Sequence, residues 1–231
     1  MRLPEPLLDG HLIRRYKRFL ADIALADGRQ VTAHCPNSGS LLSCNIPGSP
    51  VRISVSDNPR RKLKYTWELV RVNDVWVGIN THYPNRLVKE GIEQGIIQEL
   101  QGYEQILQEV RYGENSRIDL LLQSGNDRCY VEIKNVTLVE NSVAYFPDAV
   151  TVRGQKHLRE LMAMVEAGHR AVIFFLVQRE DNHQMAPADH IDPEYGRLLR
   201  QAHDVGVEIL AYQAHVTPEE ITVNFRLPVR L

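Results

Sequence analysis

Ser116-Arg-Ile-Asp-Leu-Leu-Leu122 and Cys129-Tyr-Val-Glu-Ile-Lys134 are the two stretches that decide the fold. Both are apolar runs of strand length, and the polar residues 125–128 between them favour a turn, so the pattern predicts two neighbouring strands. Side chains alternate between the faces of a strand, so Glu132 and Lys134 are predicted to share one face. Asp119 interrupts the first run and could bring a second carboxylate to the same place.

These charged side chains suit a divalent cation and a phosphodiester. Burying charged side chains at the end of an apolar strand costs free energy unless they are paired or bind a ligand. Mg²⁺ prefers oxygen ligands and is typically held by one or two carboxylates, which Asp119 and Glu132 would supply for Mg²⁺ or Mn²⁺. Lys134 would stabilise charge developing on the phosphate or orient the attacking water, which makes all three residues catalytic candidates.

A third metal ligand is expected from the preceding helix, with Glu90 preferred to Glu93 or Glu99. The alternative is a surface ion pair within the Glu-x-Lys segment, with Asp119 capping a turn. A lone Glu-x-Lys sequence is common and fits that alternative. The two-strand context, with an aspartate on the strand before, favours the metal site.

Length and composition set the protein class. The chain has 231 residues, enough for one large domain or two small ones, and its 43% apolar and 24% charged residues are typical of soluble globular proteins. It contains no apolar run long enough to cross a bilayer and no signal-peptide core, so we expect no membrane partner. The three cysteines, Cys35, Cys44 and Cys129, are widely spaced and odd in number, which argues against a disulfide framework and for a reducing cytoplasm.

The charge is unevenly distributed along the chain. Residues 1–81 carry 12 Lys/Arg against 7 Asp/Glu, whereas residues 82–231 carry 15 against 22. The first part is therefore locally basic although the net charge is -2. The acidic surplus of the second part is what a cation site would require nearby.

The first third of the chain reads as short strands without a convincing helix. Asp27-Gly28 and Asn73-Asp74 are hairpin turns between alternating segments. The predicted strands cover residues 11–18, 20–25, 30–35, 51–55, 65–69 and 75–79. Five or six such strands indicate a small closed sheet, and we place this domain at residues 1–82.

Residues 83–231 show a different pattern, that of a mixed α/β domain. A helix is expected over residues 87–100, strands over 104–112, 117–122 and 130–138, a helix over 152–167 and a strand over 171–177. A further helix over 193–204 and a strand over 207–212 complete the order.

This order, together with Asp119 and Glu132-Ile-Lys134, resembles the PD-(D/E)xK nuclease pattern and its core. Ile118-Asp119 stands where the pattern has Pro-Asp. The chain also resembles, over essentially its whole length, the bacterial sugar fermentation stimulation protein A family. The segments that carry this resemblance are Tyr112-Gly-Glu-Asn-Ser-Arg-Ile-Asp, Val131-Glu-Ile-Lys-Asn-Val-Thr-Leu, Tyr145-Phe-Pro-Asp-Ala-Val-Thr, Arg153-Gly-Gln-Lys-His-Leu and His34-Cys-Pro-Asn-Ser-Gly.

The resemblance implies a two-domain α+β architecture. Its first domain would be a five-stranded OB-like β-barrel, and its second a restriction-endonuclease-like mixed sheet flanked by helices. It also implies DNA binding without sequence specificity and a regulatory link to sugar (maltose) metabolism. A nuclease-like fold does not by itself assure nuclease activity.

Two basic clusters are candidates for nucleic-acid binding. Phosphate-tracking cations interleaved with aromatic residues are typical of OB-folds that bind nucleic acid. The alternative is a solvated strand face with its aromatic residues buried in the barrel. The clusters are Arg14, Arg15, Lys17 and Arg18 with Tyr16 and Phe19, and Arg60, Arg61, Lys62 and Lys64 before Tyr65 and Trp67.

Arg153 and Lys156 lie away from the apolar stripe of their predicted helix and could meet DNA at the mouth of the site. Exposed helix cations commonly do nothing specific, which is the alternative. His157 could lie near the metal or serve a structural role. Three hypotheses follow: a DNA-binding protein with a nuclease-like domain, an active Mg²⁺-dependent endonuclease of DNA or RNA, and a transcription regulator whose active site survives only as structure.

Overall fold

The computed structural model describes residues 1–113 and 116–231. Glu114 and Asn115, two residues of the first family segment quoted above, lie outside the described residues. Within the part that is described, no helix is long and apolar enough to cross a membrane.

The first domain is a closed barrel, as predicted. Its strands are β1 (Leu7–Tyr16), β2 (Leu20–Leu25), β3 (Gln30–His34), β4 (Pro50–Val55), β5 (Tyr65–Val72) and β6 (Val75–Gly78). They form a sheet of order β3-β2-β1-β4-β5-β6, with antiparallel neighbours. Parallel pairing of β3 with β5 closes the first five strands into the OB-like barrel.

Turn chemistry and alternation explain this barrel. Gly28 has a φ of 86°, and Asn73 and Asp74 have φ values of 48° and 63°, the left-handed conformations that tight hairpin turns need. Every second side chain of the strands points inward, and Ile53 and Trp67 are among the fully buried ones.

The second domain is a mixed sheet flanked by three helices, also as predicted. Its elements are α1 (Pro84–Glu93), β7 (Gln105–Tyr112), β8 (Ser116–Ser124), β9 (Asp127–Val136), β10 (Leu138–Glu140), β11 (Val143–Phe146), α2 (Val152–Glu166), β12 (Arg170–Val177), β13 (Gln184–Pro187), α3 (Pro193–Asp204), β14 (Glu208–Val216) and β15 (Ile221–Arg226). The main sheet has the order β15-β14-β12-β9-β8-β7. Its central strands β9, β12 and β14 are parallel and its outer pairs antiparallel.

Some elements differ from the sequence prediction. The helix expected over residues 87–100 ends at Glu93, because Gly95 turns left-handed with a φ of 71°, and a 3₁₀ turn follows at Gln98–Leu100. The strand expected to reach residue 138 ends at Val136. Strands β10, β11 and β13, which form a small separate sheet, and strand β15 were not predicted.

Helices cover both faces of the main sheet. Leu87 and Ile92 of α1 pack with Val131 of β9 on one face, while α2 and α3 pack with the odd-numbered residues of β12 on the other. Side chains of β9 therefore alternate between an α1-facing and an α2-facing environment. This alternation directs Glu132 toward α2.

The two domains meet along a polar seam centred on the fully buried Arg179. Its guanidinium donates to both oxygens of Asp181, to Ser43 Oγ at 2.9 Å and to the Thr137 carbonyl at 2.8 Å. Ser43 belongs to the barrel domain and the others to the second domain, so one side chain connects both.

The predicted boundary at residue 82 falls between β6 and α1. The first residues nevertheless pack on the second domain, since Leu3 N donates to the Glu219 carbonyl and Leu3 is buried in the core under α1.

Candidate metal and nucleic-acid site

A cleft of about 840 Å³ lies between the barrel and the mixed sheet. Arg15 and Arg18 line it from the barrel, and Asp119, Lys134 and Arg153 line it from the second domain. Residues predicted separately as acidic and basic candidates thus face one cavity.

The walls of the cleft are joined where two family segments touch. Leu41 N donates to Asp148 Oδ2 at 2.9 Å, and Ser40 Oγ donates to the Asp148 carbonyl. A Cβ at Gly39 would lie 2.7 Å from both carboxylate oxygens of Asp148, so a larger residue there would displace the Asp148 side chain that accepts from Leu41 N. Asp148 thus holds the loop after β3 against the second domain.

Asp119 is held in place by both of its carboxylate oxygens. Oδ2 accepts from the Ile133 backbone N–H at 2.7 Å, and Oδ1 accepts from Asn85 Nδ2 at 3.0 Å. Burial, and then the negative charge of Glu132, raise the pKa of Asp119 to about 6. A cation placed beside the two carboxylates would remove this repulsion.

Glu132 is 2% exposed and lies at the centre of the charged cluster. Its Oε1 accepts from Lys134 Nζ at 2.6 Å and contacts His157 Nδ1. Burial would raise the pKa of Glu132, but the charge of Lys134 and the contact with His157 outweigh it and lower the pKa. Glu132 Oε2 is buried and has no hydrogen-bond partner among the described residues.

Asn85 and Glu109 belong to the same constellation, although the sequence did not single them out. Asn85 Nδ2 donates to Glu109 Oε1 at 3.1 Å as well as to Asp119, so one amide joins two carboxylates. Glu109 has a φ of 54° in the middle of β7, a left-handed conformation that is uncommon for a non-glycine residue and often found at functional sites. The only sequence signal for Glu109 is an acidic residue on the strand before Asp119.

Glu90, expected as a third ligand, is not brought to this cluster. Its carboxylate pairs with Arg86 Nε at 2.7 Å and with the Met1 amino group at 3.1 Å. At 3.6 residues per turn, Glu90 and Asn85 lie on different faces of α1, and Asn85 is the one directed at Asp119. Within residues 1–113 and 116–231, no three or more His, Cys, Asp or Glu side chains form a group that could hold a metal.

The fit to a divalent cation therefore rests on two carboxylates. Glu132 Oε2 is a buried acceptor without a described partner, and the charge of Glu132 acts on Asp119, which lines the cleft. Two carboxylates are what Mg²⁺ usually takes from a protein, because water and substrate phosphate supply the other ligands.

Some of the predicted basic residues are engaged in structural contacts. Arg15 donates to the carbonyls of Asn37, Gly39 and Ser40, which anchors β1 to the loop after β3. Arg14 pairs with Asp22 at 2.8 Å, and Arg61 donates to Thr66 Oγ1 at 3.0 Å.

The remaining barrel candidates form a second group: Lys17, Arg18, Arg60, Lys62 and Lys64. All five are exposed, and their side chains make no hydrogen bond or ion pair in the described part of the chain. Lys17 and Arg18 occupy the β1–β2 turn, and the others occupy the β4–β5 loop. In OB-folds these are the two loops that bind oligonucleotides.

On α2, the two predicted cations behave differently. Arg153 lines the cleft and donates to His157 Nε2 at 3.4 Å, so it extends the Glu132 cluster toward the cleft mouth. Lys156 is 3.5 Å from Glu160 Oε1 and does not line the cleft. His157, left open between two roles by the sequence, contacts Glu132 and lies 3.3 Å from Lys134 Nζ.

Comparison with known proteins covers both domains. Residues 13–79 match the family model described as the SfsA N-terminal OB domain, and residues 82–220 match the one described as the sugar fermentation stimulation protein RE domain. The sugar fermentation stimulation protein homolog of Geotalea uraniireducens is 65% identical over 231 residues, 100% of each chain. That of Geobacter sulfurreducens is 66% identical over 229 residues, 99% of this chain and 98% of the relative.

A solved structure shows the same architecture. It is described as the structure of Pyrococcus furiosus SfsA in complex with Ca²⁺, and it is similar to this chain with a TM-score of 0.91 and 29% identity. The similarity covers 100% of this chain and 98% of the archaeal chain.

Proposed function

Because the chain belongs to the sugar fermentation stimulation protein (SfsA) family, we propose that it binds DNA in the cleft between its OB domain and its RE domain, around a divalent cation. The observation that carries this proposal is the buried Oε2 of Glu132, which has no hydrogen-bond partner among the described residues, on a carboxylate whose charge acts on Asp119 in the lining of that cleft. A buried acceptor without a partner is costly, and a cation would satisfy it.

Asp119 and Glu132 would hold the cation, proposed to be Mg²⁺ or Mn²⁺. The archaeal relative was solved in complex with Ca²⁺, which is consistent with a divalent-cation site in the family. When bound, such an ion supplies positive charge to a phosphodiester. Lys134 adds a fixed ammonium to the same cleft, where it would orient and stabilise a phosphate oxygen.

The DNA-binding part of the proposal is supported by charge and position. Five exposed cations without described partners lie on the two barrel loops that bind oligonucleotides in OB-folds, and Arg18 lines the cleft itself. Cations that contact phosphates give binding without sequence specificity and with strong salt dependence.

Metal binding can be measured without any activity. We expect Mn²⁺ to bind the wild type in a calorimetric titration. We expect Asp119→Asn to bind Mn²⁺ at least about 10-fold more weakly, because loss of even a group that only supports a metal ligand has an effect of about that size. Glu90→Gln is the matched control, because Glu90 lies on α1 outside the cluster. Equal Mn²⁺ affinity of the wild type and Asp119→Asn would refute the proposed ligands.

A second candidate function is an active metal-dependent endonuclease. It is favoured by Lys134, whose ammonium is bonded to Glu132 and faces the cleft. We expect purified protein with Mg²⁺ or Mn²⁺ to cut at least one of several DNA and RNA forms, and Lys134→Ala to bind but not cut. If wild type and variant are equally inert on every form, the enzymatic proposal fails and the binding proposal remains. The protein would then fit a regulator of sugar metabolism, the role that the family name suggests.

A further inference from the structure

We propose that the β1–β2 turn, residues 17–19, recognises unpaired nucleobases, with Phe19 as a stacking platform. The cleft would then take single-stranded or locally opened nucleic acid in preference to continuous duplex. This inference rests on the proposed nucleic-acid binding and adds the class of substrate.

Phe19 is the first observation. It is 53% exposed at the tip of a hairpin, although an aromatic ring left in water is unfavourable. It follows Lys17 and Arg18, both exposed and without described partners, and Arg18 lines the cleft. An exposed ring next to two available cations combines a surface for a base with contacts for its flanking phosphates.

The backbone of the turn is the second observation. Lys17 and Arg18 have φ values of 49° and 65°, in the left-handed region that L-residues adopt at a cost. Asn-Gly would form such a turn without strain, as glycine does at position 28 of this barrel. Residues held in a strained conformation, at positions where Asn or Gly would fit without strain, are typical of functional sites that need a particular side chain.

The third observation is that the turn is held firmly. The Phe19 carbonyl accepts from Cys35 N at 2.9 Å, which ties the turn to the end of β3. At the base of the hairpin, Arg15 is anchored to three carbonyls of the loop at residues 37–40. A ring presented on a rigid support loses little conformational entropy when a base stacks on it.

The strand preference follows from the chemistry of the ring. Bases in a continuous duplex are stacked on their neighbours, so their faces are not accessible to a side chain from outside. Unpaired bases expose a π-face, and stacking on an aromatic residue does not depend on which base is present. Cations alone would bind duplex equally well, so Phe19 is the group that discriminates.

The test compares Phe19→Ala and Phe19→Trp with the wild type by fluorescence anisotropy on labelled DNA of about 16 nucleotides, single-stranded and as duplex. We expect Phe19→Ala to weaken single-strand binding by about 10-fold and duplex binding by less than about 2-fold, and Phe19→Trp to bind like the wild type. Phe225→Ala is the matched control, because Phe225 is 49% exposed on β15, the edge strand of the main sheet in the other domain. It should leave both affinities unchanged.

A spectroscopic measurement distinguishes base stacking on residue 19 from a loss of affinity caused by a change in the structure of the turn. The emission of the new indole in Phe19→Trp, taken as the difference from the wild type, should be quenched by the single strand and not by duplex. Unchanged single-strand affinity in a folded Phe19→Ala would overturn the inference, as would an equal loss on both DNA forms.

The two proposals can fail separately. If the wild type binds neither form at low salt, the proposed function fails, and the base-stacking inference that rests on it fails as well. If the wild type binds duplex as well as single strand and Phe19→Ala changes neither, only the base-stacking inference fails.

Discussion

At the scale of single residues, Glu132 connects two elements of the site, β9 and α2. It extends from β9, meets Lys134 of the same strand and His157 of α2, and leaves its second oxygen without a described partner. A carboxylate fixed on one side and free on the other is preorganised for a ligand on the free side. His157 therefore orients Glu132 rather than facing solvent.

Asp119→Asn should remove a pH-dependent part of the stability. The pKa of Asp119 is raised from 3.8 to about 6, first by burial and then by Glu132. Between about pH 4 and pH 6 the folded state keeps this proton while the unfolded chain has lost it. The free energy of unfolding should therefore fall by up to about 3 kcal/mol as pH rises through this range.

Urea unfolding of the wild type and the variant without metal, at several pH values from about 4 to 7, measures this difference. The variant should gain stability relative to the wild type as pH rises. A difference that stays constant with pH would contradict the raised pKa.

Parts of the site could be predicted because they lie on one or two adjacent strands. Alternation in β9 places Glu132 and Lys134 on one face, while Val131 and Ile133 lie in the core under α1. Asn85 and His157 could not be inferred with the same force, because their approach depends on how two helices dock onto the sheet. Glu90 does not reach the cluster because residues 85 and 90 point to different sides of α1.

At the scale of elements, the β4–β5 loop is a positively charged strip separate from the acidic cluster. Arg60, Lys62 and Lys64 are exposed there without described side-chain partners, whereas Arg61 is bonded to Thr66. The available cations of this loop are thus three of the four that the sequence indicated. Each could replace a counterion on a phosphate.

Charge reversal of the loop, Arg60→Glu with Lys62→Glu and Lys64→Glu, should weaken DNA binding and flatten its dependence on salt. The slope of log K against log salt should fall in magnitude by about 2 or more, at about 0.7–0.9 per lost phosphate contact. Reversal of the exposed Arg197 on α3 is the control. An unchanged slope in the triple variant would exclude this loop from the interface.

Elements with clear boundary signals were predictable, and short ones were not. Helix α3 covers the range predicted, Pro193–Asp204; the structure adds that the Asp192 side chain caps its first turn and that Gly206 follows its end with a φ of 104°. Strand β13 is four residues long and ends in Pro187, which argues against a strand when only the local sequence is considered. It exists because it pairs in parallel with β11, which is distant in sequence.

At the scale of the whole molecule, Arg179 couples the two domains. It is fully buried, and it reaches Ser43 of the barrel domain from the second domain. Removing one partner of a buried charged network leaves the others without compensation. The integrity of the cleft therefore depends on a side chain that does not line it.

Arg179→Met should lower the free energy of unfolding by about 3 kcal/mol and separate the melting of the barrel from that of the mixed sheet. Arg197→Met, which removes an exposed ion pair with Glu194, should cost no more than about 0.5 kcal/mol. Differential scanning calorimetry checks both values. A single transition at the wild-type temperature in Arg179→Met would show that the seam does not couple the domains.

The contacts of Asp148 and Arg179 hold the two domains together, and this has a consequence for the position of a bound nucleic-acid strand. Because the barrel and the mixed sheet are held together, Arg18 of the β1–β2 turn and Asp119 of β8, which line the cleft from the two domains, keep a fixed spacing. A nucleic-acid strand bound at both points would be held in one register. Any cut would then fall a constant number of nucleotides from the base bound at the turn.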